Sequence, residues 1–128
     1  MASGFEGLLA WQRARAVSAG ILPILKVAVR ERDFALAQQL NAASLSVMAN
    51  IAEGRMRGTR RQFVYFLRIA AGSNGETRAC LYAALDRQYI SQADCSPLIE
   101  ATNEVGRLLQ GLIKRYEGPR PAPPTANR

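Results

Sequence analysis

"ALAQQLNAASLSVMANIA", residues 35–52, holds no charged residue. Its composition favours helix, and Leu36, Leu40, Ala43, Val47 and Ile51 fall on one stripe at three- and four-residue steps. Leu45, Met48 and Ala52 lie on the other side. A helix at a protein surface normally carries charge on its back, and a helix without a charged face is normally buried all round. Gln38, Gln39, Asn41, Ser44, Ser46 and Asn50 make the run too polar to span a bilayer. A chain of 128 residues is one domain's worth and does not cover a helix on every side. The second side therefore predicts contact with another copy of the chain.

The same reasoning extends outward along the chain. Before the run, Phe5 to Arg30 carries Leu8, Trp11, Val17, Ile21, Ile24, Leu25 and Ala28 at helical spacing. Gly20 and Pro23 interrupt it, and proline both lacks an amide donor and clashes with the preceding turn. A kink or break is expected near Ala19–Gly20, and Arg30 to Asp33 reads as the first turn. The uncharged helix itself is expected over about Ala35 to Met56.

A third helical segment is expected from Thr59 to Gln88, capped by Gly58 or Thr59. Its inner stripe is Phe63, Phe66, Leu67, Ala70, Asn74, Thr77, Leu81, Ala84 and Leu85. Gly72 and Gly75 lie on the opposite side, with Ala79. They either admit another backbone as part of an oligomer interface with Leu45, Met48 and Ala52, or are tolerated at about 1 kcal/mol each. A fourth segment is expected to begin near Ser96-Pro97, with proline at the first helical position, and to reach Tyr116. Residues 118–128, "GPRPAPPTANR", read as a solvated proline-rich tail. The predicted fold class is all-α: an antiparallel, up-down four-helix bundle over residues 1–117 that forms a homo-oligomer.

Composition narrows the chemistry. The chain has no histidine and two cysteines, Cys80 and Cys95, without paired spacing. That argues against a disulfide framework, ordinary zinc sites and histidine-dependent triads. No cofactor or metal is expected. The N-terminal residues lack an export signal pattern, so a cytoplasmic location is expected, with no membrane partner.

The net charge is +7, and fifteen of the seventeen cations are arginine, whose planar fork suits phosphate. Arg55, Arg57, Arg60 and Arg61 occur within seven residues, and Arg68 follows. No acid lies between Gly54 and Gly75 to neutralise the field they set up. Arg13, Arg15 and Arg78 are satellites. Contact with a nucleic-acid backbone is the reading that makes use of this cluster; a solvated helix end is the plainer one. Tyr65 points away from the inner stripe, to stack an unpaired base or to pack against a neighbouring subunit.

Asn50 with Glu53, and Ser73 with Glu76, are each three residues apart on one helix face. Buried polar groups need partners, so these four are expected to hydrogen-bond between the second and third segments and fix their register. With no second carboxylate near in sequence, a non-enzymatic protein is expected. Gly54 is expected to supply either a left-handed residue closing the helix or a point of tight approach.

Three motifs carry a resemblance. They are F-x-x-L-x-x-W (Phe5, Leu8, Trp11), NIAEG (Asn50 to Gly54), and F-x-x-F-L-R-I-A-x-G-S-x-x-E (Phe63 to Glu76). Together they resemble the four-helix-bundle proteins encoded in intervening sequences of bacterial 23S ribosomal RNA, a group that includes the accessory variability determinant of diversity-generating retroelements. The resemblance implies an antiparallel four-helix bundle, a pentameric ring, and a basic surface that engages RNA or DNA. For the retroelement relative it also implies a reverse transcriptase partner. A protein-interaction scaffold that recruits such an enzyme is the alternative to direct nucleic-acid binding.

Overall fold

A computed structural model describes residues 4–119, and among them every regular element is an α-helix. The helices are α1 (Leu9–Gly20), α2 (Leu22–Arg30), α3 (Phe34–Arg57), α4 (Arg60–Asp86) and α5 (Gln92–Glu117). The first two make one bent arm, so the molecule has four helical arms. The break falls at Ile21, just beyond the Ala19–Gly20 position expected from the sequence, and Pro23 sits in the first turn of α2, where its missing N–H costs nothing. The proposed tail falls on residues 118–128, of which 120–128 lie outside the described residues.

Helix α3 covers the uncharged run and buries its predicted stripe: Leu40 and Ile51 are fully enclosed, with Leu36, Ala43 and Val47 beside them. The far side behaves differently. Leu45 is 47% exposed and Met56 63%, while Met48 and Ala52 are half-buried. Residue pairings set how α3 lies on α4. Asp33, at the start of α3, meets Arg87 and Tyr89 beyond the end of α4. Ser46 meets Ser73 midway, and Gly54 lies against Phe63 and Phe66 at the start of α4. Across the α4–α5 seam, Asn74 donates to the Thr102 carbonyl at 2.9 Å, and Phe63 meets Tyr116 edge-on at 5.0 Å.

Gly54 is the point of tight approach. A Cβ there would lie 2.7 Å from Phe66 Cβ, so only glycine lets the two helices close at this level. The left-handed residue that ends α3 is instead Gly58, at φ 87°. Thr59 then caps α4, its side chain accepting from the Gln62 amide at 3.2 Å.

The start of α5 departs from expectation. Helix α5 begins at Gln92, not near Ser96; Ser91 is its cap, accepting from the Asp94 amide at 3.1 Å. Pro97 therefore sits inside the helix. Pro97 has no N–H to give the Ala93 carbonyl, and Ala93 is an exposed residue, where the loss of that bond is least costly. Local capping by Ser91 outweighs the pull of Pro97 toward the first helical position.

The polar network is also smaller than predicted. Asn50 donates to the Ser46 carbonyl at 2.8 Å and to Ser46 Oγ at 3.0 Å, and Ser46 Oγ shares a 2.7 Å hydrogen bond with Ser73. Glu53 does not join; it pairs with Arg57 on its own helix at 2.7 Å. Glu76 is exposed, outside the network. A carboxylate at either position stays solvated, whereas two hydroxyls and an amide satisfy one another at a half-buried seam. The mediator, Ser46, was not singled out by the sequence reading.

Candidate nucleic-acid interface

The turn Arg57–Gly58–Thr59–Arg60 brings the end of α3 and the start of α4 to one end of the bundle. Basic side chains at a helix C-terminus are favoured by the helix dipole, which suits Arg55 and Arg57. The N-terminus of α4 carries no acid in its first turn and two arginines instead. There the dipole disfavours cations, so Arg60 and Arg61 contribute nothing to helix stability by charge.

The predicted contact arginines divide by what they touch. The Arg60 and Arg61 guanidinium groups are exposed and meet no carboxylate among the described residues. Arg57 pairs with Glu53 and lies over the Phe66 ring, 5.2 Å from its centre. Arg68 pairs with Glu117 at the end of α5. Arg55 is half-buried and, with Arg60, Phe63 and Tyr116, lines a small cleft of about 100 Å³ under the turn.

The satellites lie elsewhere and are largely engaged. Arg13 pairs with Glu104 of α5 at 3.2 Å, and Arg15 covers Trp11 at 5.6 Å. Arg78 ties α4 to α5, donating to Thr102 Oγ1 at 3.0 Å and to the Thr102 carbonyl at 3.3 Å. Cations that already serve a neighbour give less to an incoming anion, because the existing pair must first be broken.

The fold also delivers cations that the sequence reading did not pick. Lys114 joins Arg68 and Gln110 around a groove of about 600 Å³ between α4 and α5. Arg107 and Arg78 line the next groove along the same seam, about 590 Å³. Arg115 lies over the Tyr116 ring at 5.5 Å. The signal available in the sequence was the basic last turn of α5, Lys114-Arg115, nearly fifty residues from Arg68. Only the α4–α5 pairing brings the two together.

The outer surface of α3 and α4 near this end is apolar. Tyr65 is 61% exposed, and Ile69, Leu45 and Met56 are exposed as well. A Cβ added at Gly72 or Gly75 would meet nothing within 4 Å, so that stretch of α4 is open to an approaching surface.

At the opposite end, Asp33 gathers three partners. It caps α3 through the Leu36 amide at 3.2 Å, accepts from Tyr89 Oη at 2.9 Å, and pairs with Arg87 at 3.1 Å. Burial, then the hydrogen bond to Asp33, raises the Tyr89 hydroxyl above its ordinary pKa. A concavity of about 850 Å³ lies beside it between Pro23, Ile24, Leu85, Tyr89 and Leu98. It is mostly apolar and brings no pair of carboxylates together. Hydrogen bonding from Asn103, then from Arg107, holds the Glu100 carboxyl below its usual range on the exposed face of α5.

Both cysteines are buried thiols. Burial raises the Cys95 thiol; burial and the Glu76 charge raise that of Cys80, with Arg87 opposing. Among the described residues, no three His, Cys, Asp or Glu side chains gather where they could hold a metal ion. No described helix is long and apolar enough to cross a membrane.

These features define a class: a small all-α helical protein whose conspicuous feature is an arginine-bearing turn beside an open apolar face. The chain belongs to the 23S rRNA-intervening sequence protein family, whose pattern it matches over residues 6–111. A crystal structure of a protein with unknown function from the S23 ribosomal protein family of Bacteroides thetaiotaomicron shares its fold. That structure matches with a TM-score of 0.76 at 24% identity, over 83% of this chain and 99% of the other. A comparison with curated proteins returned no match.

Proposed function

We propose that this protein is a non-enzymatic, oligomeric accessory protein of the cytoplasm that binds the phosphate backbone of RNA or DNA through the α3–α4 turn. The observation that carries this reading is the exposure of Arg60 and Arg61 without a carboxylate partner, in a stretch of sequence free of acids. Two arginines at the positive end of a helix dipole offer the protein itself no electrostatic gain, so an external polyanion is the partner they suit. In this reading the four arms run up and down, antiparallel. The pairings of Asp33 with Arg87 and of Gly54 with Phe66 support that order.

Copies of the chain associate through the uncharged outer side of α3, with Leu45, Met48 and Ala52, and through Gly72 and Gly75 of α4. A ring gathers several arginine turns into one field, and a pentamer is the assembly expected from the family resemblance. Binding to labelled RNA and DNA at low salt, followed through a salt titration, tests the reading. Affinity is expected to fall steeply with salt, and to fall at fixed salt in the Arg60→Ala/Arg61→Ala variant. Absence of binding at low salt would overturn it.

A second reading is a scaffold that recruits a nucleic-acid enzyme, such as a reverse transcriptase. The apolar surface of Leu45, Met56, Tyr65 and Ile69 favours it, because exposed apolar patches mark protein contacts. Stoichiometric capture of one protein from nuclease-treated lysate, with no binding to bare nucleic acid, would select it over the first.

A further inference from the structure

Tyr65 stands on the open outer face of α4, between the Arg61 and Arg68 positions. Its ring is 61% exposed on α4. Arg61 precedes it by four residues and Arg68 follows it by three, so all three share one helix face. With a rise of about 1.5 Å per residue, the two arginine positions sit about 6 Å before and about 4.5 Å after Tyr65 along the helix. The order along the face is cation, aromatic, cation.

The ring is also braced. Phe66 lies edge-on to Tyr65 at 5.1 Å and 86°. Arg57 in turn lies over Phe66 at 5.2 Å, and is itself held by Glu53. Tyr65 thus meets its neighbour at a near-perpendicular angle while much of its surface stays open to solvent.

An exposed aromatic between two arginine positions on one helix face matches a single strand, whose unpaired bases stack on aromatic rings while its phosphates meet cations. In a duplex the bases are already stacked on each other, and an exposed ring on a helix face has no base plane to reach. We infer that the nucleic acid bound at this end is single-stranded, with one unpaired base stacked on Tyr65 and the flanking phosphates on Arg61 and Arg68. This rests on the nucleic-acid reading above and narrows its substrate class. The row favours a nucleic-acid strand here, because Arg61 and Arg68 call for anionic groups and Tyr65 offers them a ring on which a base can stack. To engage a phosphate fully, Arg68 exchanges the Glu117 carboxylate for the strand.

The test compares Tyr65→Ala, Tyr65→Phe and Tyr65→Trp with the wild type, using labelled oligo(U) and oligo(dT) strands of about twenty nucleotides and a duplex of equal length. Single-strand affinity is expected to fall about tenfold in Tyr65→Ala and to stay near wild type in the Phe and Trp variants. Duplex affinity is expected to change little. Sedimentation of each variant runs in parallel. Equal loss on strand and duplex, no loss on the strand, or a smaller sedimenting species for Tyr65→Ala would each overturn the inference. If the wild type binds duplex well and Tyr65→Ala is neutral, only the single-strand assignment fails. If the wild type binds no probe at low salt, the nucleic-acid reading itself fails.

Discussion

The two ends of the bundle use charge in opposite ways. At the Asp33 end, one carboxylate caps α3, accepts from Tyr89 and pairs with Arg87, so its charge is spent inside the fold. At the Arg60 end, two guanidinium groups stand at a helix N-terminus with no carboxylate among the described residues to meet them. The connections differ in the same sense. Arg32 and Gln88, both near Asp33, hold left-handed conformations at φ 61° and 63° although neither is glycine. Each sits in a matching closure: the Asp33 amide donates to the Ala28 carbonyl at 2.8 Å, and the Tyr89 amide to the Ala84 carbonyl at 3.0 Å. At the other end the left-handed position is Gly58, which carries no such strain. One end is closed on itself; the other is a relaxed turn that presents charge.

The comparison can be broken or sharpened by substitution. The largest effect is expected under the presenting turn, at Gly54→Ala, where the new methyl collides with Phe66 Cβ and with the Phe63 carbonyl. A loss of about 1–3 kcal/mol by denaturant unfolding is expected, since overpacking there forces α3 and α4 apart. Asp33→Ala removes a cap and the Tyr89 hydrogen bond together and is expected to cost about 2 kcal/mol. Asp33→Asn keeps the cap and is expected to cost about half of that. If Asp33→Ala proved neutral, the closed end would not be structural.

Smaller changes follow at the strained positions. Arg32→Gly and Gln88→Gly are each expected to raise stability by several tenths to about 1 kcal/mol, because relief of the left-handed strain exceeds the entropy glycine adds to the unfolded chain. Gly58→Ala is expected to do the reverse. The smallest effect concerns the thiols. With both pKa values raised by burial, the native state favours the protonated form. That stability is present below the ordinary thiol pKa of about 8.5 and is lost as pH climbs through the raised values. The unfolding midpoint should therefore drift down above about pH 8.5, and a thiol reagent at pH 7 should modify neither cysteine until the chain unfolds.

Much of this was legible in the sequence because it is local. The 3.6-residue recurrence of Leu36, Leu40, Val47 and Ile51 marked the buried stripe of α3, and Pro23 marked the bend at Ile21. Gly54 was legible only as one of two things, a left-handed closing residue or a close approach, and the packing of Phe63 and Phe66 against it decides for the second. What stayed hidden needs partners distant in the chain. Ser46 gains its role from Ser73, Lys114 from Arg68, and Asp33 from Tyr89, 56 residues on. Ser96-Pro97 misled because the dipeptide makes a good helix start by itself, while Ser91, accepting from the Asp94 amide, already starts the helix five residues earlier. Arg78 looked like part of a basic surface until its Thr102 hydrogen bonds placed it in the α4–α5 seam.

The division between the two ends is tested most directly by measuring RNA affinity against salt, and thermal stability, for Arg60→Ala/Arg61→Ala beside Asp33→Ala. The arginine variant is predicted to reduce the slope of log affinity on log salt by about 1.4 to 1.8, with stability within about 0.5 kcal/mol of wild type. The Asp33 variant is predicted to lose stability and to keep the wild-type slope. An arginine variant with an unchanged slope, or an Asp33 variant whose slope drops equally while it remains folded, would contradict the account.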